Sequence, residues 1–152
     1  MQKIIISDTS CLILLDRIGE LNLLNKLFGQ ILITVEIAHE FKKELPDWFK
    51  IETPANLNYQ RILETSVDRG EASAIALALE YQNCLLIMDD LKGRKYATQL
   101  GIKVTGTLGV IVSAKLNGLI DSVKPLLAKI KNANFWLDAE LEASVLKNSG
   151  EL

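Results

Sequence analysis

Histidine occurs once, at His39, and cysteine twice, at Cys11 and Cys84. Two thiols and one imidazole cannot complete a tetrahedral zinc site without carboxylate help. No second histidine or nucleophile partners His39, which reads as a surface residue. Both cysteines lie inside apolar runs, so buried free thiols and a reducing, cytoplasmic setting are expected. Three prolines and nine glycines leave no room for a long disordered linker. No stretch reaches about 18 uninterrupted apolar residues, so no membrane span is expected. The first residues carry one lysine and then a short apolar strand, without a cleavage signal. Seventeen Lys and Arg against nineteen Asp and Glu give a net charge of -2. That excludes a blanket basic coat that holds nucleic acid by charge alone, and leaves room for a local basic strip.

What is present is a 152-residue chain that is 49% apolar, enough for one domain with a sizeable core. "KIIIS" is short, β-branched and continuous, as a strand buried on both faces reads. "SCLILLDRIG" and "ELNLLNKLFG" follow with helical period, each closed by glycine. "QILIT" reads as a second buried strand and "TVEIAHEFKKEL" as a helix capped by Thr34. "WFKIETP" fits an edge strand stopped by Pro54. "NLNYQRILETSV" is helical, and "DRGEASAIALALEYQN" is a helix apolar nearly all round, hence buried. "CLLIMDD", "LKGRKYATQLG", "IKVTG" and "TLGVIVSAKLNGL" continue the alternation, and two helices finish the chain. The expectation is an α/β three-layer sandwich with a central parallel sheet. Residues 1–152 read as one domain, with about 121–152 as a C-terminal helical appendage. The apolar faces of "VKPLLAKI" and "LEASVL" make a homodimer plausible.

In open parallel sheets, ligands bind beyond the carboxyl ends of the strands. Asp8 follows "IIIS", and Asp89 with Asp90 follows "LLIM". Glu40 and Glu71 lie on helices expected to face the same edge. Converging carboxylates repel one another unless a cation neutralises them or some take up protons. Oxygen-only ligands suit Mg2+ or Mn2+, which acidify bound water and steady a phosphoryl group in displacement. An acid cluster of this composition therefore points to metal-assisted phosphodiester hydrolysis. Each acid also has a plainer explanation. Asp8 could cap the following helix, as could Ser10. Glu40 falls toward the solvated side of a helix whose core stripe reads as Val35, Ala38 and Phe41. "DRGE" fits a capping box with Asp68 as cap and Glu71 reaching back. One of Asp89 and Asp90 could cap the next helix, but two acids exceed that need.

Other polar residues sit beside these acids. Thr9 and Ser10 follow Asp8 and could hold water at a metal. Lys92, Arg94 and Lys95 set positive charge next to the Asp pair, where a phosphate backbone would need it; a solvated face explains the two lysines equally well. Thr105 and Thr107 flank Gly106 where a strand turns into a helix, and backbone N–H groups there could meet a phosphate. "GTLG" is neither a Walker A loop nor a dinucleotide fingerprint.

Together "ISDTSCLILLDRIGEL", "GEASAIALAL", "IMDDLKGRKYATQLGIKVTGTLGVIVSAK" and "FWLDAELEASVLKNSGE" resemble the PIN-domain proteins over nearly the whole chain. The nearest likeness is to the short single-domain prokaryotic branch that includes VapC-like toxins. The resemblance implies an Mg2+- or Mn2+-dependent ribonuclease, often the toxin of a toxin–antitoxin pair. It carries the family's four acids onto Asp8, Glu40 ("IAHE"), Glu71, and Asp89 or Asp90. It also places Ser10 or Thr9, and Thr105 or Thr107, at small polar positions near the metal. Many toxin members have T-x-D at the fourth acid, where this chain reads "MDD".

The combined expectation is an endoribonuclease with Asp8, Glu40, Glu71 and Asp89 as catalytic acids. Asp8, Asp89, Asp90 and Glu71 would serve as metal ligands. Thr9, Ser10, Lys92, Arg94, Thr105 and Thr107 would contact an RNA substrate, and a cognate antitoxin would be the protein partner. The alternative is a PIN-fold protein-binding module with a weak or inactive site. A receiver domain is disfavoured because "QILIT" offers no acceptor Asp. A dehalogenase-like phosphatase is disfavoured because Ser10 stands where D-x-D needs its second acid.

Overall fold

The computed structural model describes residues 3–152. Among them the elements run β1 (Ile4–Ser7), α1 (Thr9–Arg17), α2 (Asn22–Phe28), β2 (Ile31–Ile33), α3 (Val35–Phe41), β3 (Phe49–Ile51) and α4 (Leu57–Leu63). They continue with α5 (Arg69–Ala78), β4 (Cys84–Ile87), α6 (Leu91–Gln99), β5 (Lys103–Thr105), α7 (Thr107–Leu116), α8 (Lys124–Asn132) and α9 (Ala139–Asn148). The five strands form one all-parallel sheet in the order β3-β2-β1-β4-β5. This is the expected α/β sandwich. The β-branched and leucine runs are buried on both faces, and Ile6, Ile31, Ile33, Leu86 and Ile87 have no exposed surface.

The strand order carries the functional consequence. From β1 the chain winds outward through β2 to β3, then returns to the other side of β1 as β4 and continues to β5. Right-handed crossovers put the two sets of connections on opposite faces of the sheet. Winding therefore reverses between β1 and β4, which opens a crevice at their carboxyl ends. The pairing of Ser7 with Ile87 brings those ends level. Asp8 and the Asp89/Asp90 doublet thus leave the sheet at the same edge, on neighbouring strands.

α5 is the central helix, with every residue from Gly70 to Ala78 buried. Its alanines let it approach β1 and β4 closely. α3 differs in phase from the sequence expectation. Ile37 and Phe41, one turn apart, form its buried face, whereas Val35 is 38% exposed. The Thr34 hydroxyl accepts from the Ile37 N–H and fixes how the chain enters the helix from β2. α3 is also shorter than its periodic pattern, because Lys42 turns left-handed at φ +62° and ends it.

The C-terminal helices pack into the same core. Val123, Leu126, Leu127 and Ile130 are at most 5% exposed, and Val145 joins them. Each such side chain contributes about 1.5–3 kcal/mol of burial. The apolar face of "VKPLLAKI" is therefore covered by the chain itself, not held open for a second copy. Glu151 fastens this region by accepting from the Ser122 hydroxyl, the Val123 N–H (2.8 Å) and Lys115 Nζ (3.3 Å). These bonds hold its carboxyl down at about 2. Cys11 and Cys84 are free buried thiols. No described helix is long and apolar enough to cross a membrane.

Candidate active site

Asp8 ends β1 and begins α1. Its Oδ1 accepts from the Thr9 N–H at 2.7 Å, so it is the N-cap, in preference to Ser10. Ser10 is exposed. Capping does not exhaust Asp8, because the residue is only 3% exposed and faces other acids. Burial, and then Glu71, Asp68 and Glu40, push its carboxyl up to about 7 against the pull of the Thr9 N–H. Glu71 likewise rises to about 7, through burial and the nearby Asp68, Asp90 and Glu40. The capping box at α5 forms as expected. The Glu71 N–H donates to Asp68 Oδ1 at 2.8 Å, and Glu71 Oε1 accepts from the Asp68 N–H at 3.4 Å. A capping acid normally sits comfortably at a helix N-terminus. Here burial, and then the neighbouring acids, override that preference.

Glu40 comes from α3 and is exposed, yet its carboxylate is tied to Thr9 at the start of α1. Thr9 Oγ1 donates to Glu40 Oε1 at 2.6 Å. A Cβ on Gly70 would overlap that same oxygen, so glycine at the second position of α5 is what lets Glu40 seat there. Thr9 is therefore occupied in orienting an acid.

The doublet after β4 divides its labour. Asp90 caps α6, with Oδ2 accepting from the Gly93 N–H at 2.8 Å. Asp89 reaches across to the start of α7. The Thr107 N–H donates to Asp89 Oδ1 at 2.7 Å, and the Thr107 hydroxyl donates to Oδ2 at 2.5 Å. Thr107 is fully buried with both donors engaged. Thr107, expected from the sequence to contact substrate, here holds Asp89. Arg94 Nη1 and Asp89 Oδ1 would each lie 2.7 Å from a Cβ on Gly106. Glycine there admits both groups. Arg94 also donates weakly to the Met88 carbonyl at 3.5 Å. Lys92 and Lys95 are exposed on α6, and Thr105 is half-buried at the end of β5.

Cys11, fully buried, lies under the two sides of the crevice. Burial, then Asp89 and Asp8, push its thiol up to about 12, so it remains a neutral packing group. Two contributors were not legible as site residues. Asp68 read only as a cap but raises both Asp8 and Glu71. Gly70 sat unremarked inside "DRGE". The one signal for both was the density of acids around a glycine at a helix start.

The donor set is carboxylate and hydroxyl oxygen, the chemistry of a hard divalent cation. Two carboxyls displaced toward neutrality mark a place where negative charge lacks compensation. No ion pair within 4 Å reaches Asp8, Glu40, Glu71, Asp89 or Asp90 among the described residues. The donors fit such a cation in kind, although no three of these side chains already surround one point among the described residues. Each acid instead rests on a hydrogen-bond donor of the protein.

Acids from four elements lie along the switch-point edge of this parallel sheet, where open α/β folds bind their ligands. A family profile described as a PIN domain matches residues 4–151. The chain belongs to the PIN-domain family, whose members are generally nucleases that act on nucleic acid. No curated protein sequence matches it.

Proposed function

We propose that this protein is a divalent-metal-dependent endoribonuclease and the toxin of a toxin–antitoxin pair. One observation carries the reading: Asp8, Glu40, Glu71 and the Asp89/Asp90 doublet meet at one sheet edge, with Asp8 and Glu71 both pushed to about 7. Asp8 and Asp89 would hold Mg2+ or Mn2+, with Asp90, Glu71 and Glu40 near enough to share its charge. When bound, the cation supplies an acidified water and charge neutralisation at the phosphoryl oxygens. The chain's own residues do the rest. Thr107 fixes the Asp89 carboxylate through two bonds, and Thr9 fixes Glu40 through one. Burial and neighbouring acids raise the Asp8 and Glu71 carboxyls in the metal-free protein, a cost that the cation would relieve. Arg94, with Lys92 and Lys95, provides cationic contacts for the RNA backbone.

Cleavage of single-stranded RNA, measured with and without Mn2+ and compared with Asp8→Asn, tests this. Cutting that needs the metal and vanishes in the variant is expected. Metal-dependent cutting that survives in Asp8→Asn would sink the assignment.

A second reading has its own observation in favour: every acid of the cluster already has a protein hydrogen-bond partner or a helix-capping role. On that reading the fold is a protein-binding module. Calorimetry separates the two, since a module binds neither Mg2+ nor Mn2+ at this edge. The proposed protein partner is a cognate antitoxin, and a small neighbouring gene of antitoxin type would support the toxin role. A cytoplasmic location follows from the RNA substrate and the free thiols. A homodimer would have to use apolar side chains other than the covered α8 face.

A further inference from the structure

A groove of about 420 Å3 opens beside the acids and shares Asp89 and Arg94 with them. Its floor is Leu108 and Val112 of α7, and its far wall is α9 with Leu141 and Asn148. Phe135, from the connection between α8 and α9, lines one side. The volume falls in the range of pockets that hold small organic groups, and the mixture is typical of them: apolar walls, one aromatic ring and a few polar groups. Asn148 carries an amide with both donor and acceptor capacity.

We propose that this groove seats one unpaired nucleobase of the RNA, next to the phosphate that the acids address. The proposal rests on the nuclease reading and names what sets its base preference. Three observations favour a base. The groove is continuous with the candidate catalytic edge through Asp89 and Arg94, so a nucleotide whose phosphate meets Arg94 has its base beside the opening. Splayed bases in single-stranded RNA stack on aromatic rings and are read on their edges by amide side chains. Phe135, just before α9, and Asn148, at the end of α9, both line the groove and offer those two kinds of contact. Gly106 and Gly109 in the wall leave room for the Asp89, Arg94 and Thr105 side chains, so polar groups edge the groove at its acid end.

Binding of a labelled single-stranded RNA decamer, in the uncut Asp8→Asn background, tests the seat apart from catalysis. Phe135→Ala and Asn148→Ala are compared on that background, with thermal melting as a check on folding. Asn148 is exposed, so its variant folds even if Phe135→Ala does not. Each is expected to raise Kd about tenfold, the ordinary loss for one stacked or edge-read base. In otherwise native protein, Asn148→Ala is expected to slow metal-dependent cutting of a randomised RNA pool in step with its weaker binding. Its base preference at one position beside the cut should be relaxed. RNA binding unchanged by Asn148→Ala overturns the seat and leaves the groove to a protein helix. If native protein never cuts RNA while both variants still weaken binding, the seat stands and the nuclease reading falls.

Discussion

Replacing Asp8 by asparagine should stabilise the metal-free protein and abolish its response to metal. Asp8 is 3% exposed, and its carboxyl is pushed from 3.8 to about 7 by burial and neighbouring acids. Because the folded-state value lies above the unfolded one, the stability of the protonated form is fully present below about pH 4. It drains away as pH rises through about 7. At about 1.4 kcal/mol per unit, an ionised Asp8 costs the folded state up to roughly 4 kcal/mol at pH 8. Asparagine keeps the shape and caps α1 equally well, since its side-chain oxygen can still accept from the Thr9 N–H. Metal-free Asp8→Asn should therefore melt on the order of 10 °C above the native protein at pH 8, at about 2–4 °C per kcal/mol for a domain of this size. The two curves should converge near pH 4. Saturating Mn2+ should raise the native melting temperature and leave the variant unmoved. Differential scanning calorimetry at both pH values, with and without Mn2+, reads all of this. Equal melting of the two metal-free proteins at pH 8 would refute the reasoning, because Asp8 would then carry no electrostatic cost for a cation to relieve.

Thr107→Val removes the hydroxyl bond to Asp89 but keeps the buried volume. Urea unfolding should show a loss of about 1.5–3 kcal/mol, and Mn2+ affinity should fall with it. Gly70→Ala gains up to about 1 kcal/mol of helix propensity but pushes the Glu40 carboxylate off its seat by Thr9. Melting should scarcely change while RNA cleavage drops, and native-level cleavage would show that Glu40 is dispensable. Glu151 sits at about 2, below its usual 4.5, so its share of stability is present above pH 4.5 and is lost as pH falls toward 2. Glu151→Gln should flatten the pH dependence of urea unfolding across that window.

Much of the fold was legible because its signals are local. "IIIS", "ILI" and "CLLI" are continuous apolar strands, and Thr34, Asp68 and the Asp89/Asp90 doublet announce helix starts. Those signals place Asp8 and Asp89 at strand ends, and parallel pairing then brings the two ends together. What could not be read is what depends on the angle between elements. The phase of α3, with Ile37 inward and Val35 outward, follows from how Thr34 enters from β2, not from the helix pattern. Thr107 looked like a phosphate contact because it opens a helix beside Gly106. Only its approach to Asp89 across two strands shows both donors taken. The covered face of α8 was likewise invisible, because its apolar stripe looks the same whether it meets its own core or a second copy.

The central claim is that acids from four separate elements form one divalent-cation site, and crystals soaked in Mn2+ test it most directly. The account predicts an anomalous peak at the carboxyl ends of β1 and β4, about 2.1 Å from carboxylate oxygens of Asp8 and of Asp89 or Asp90. Saturating Mn2+ that leaves this edge without a peak would contradict it.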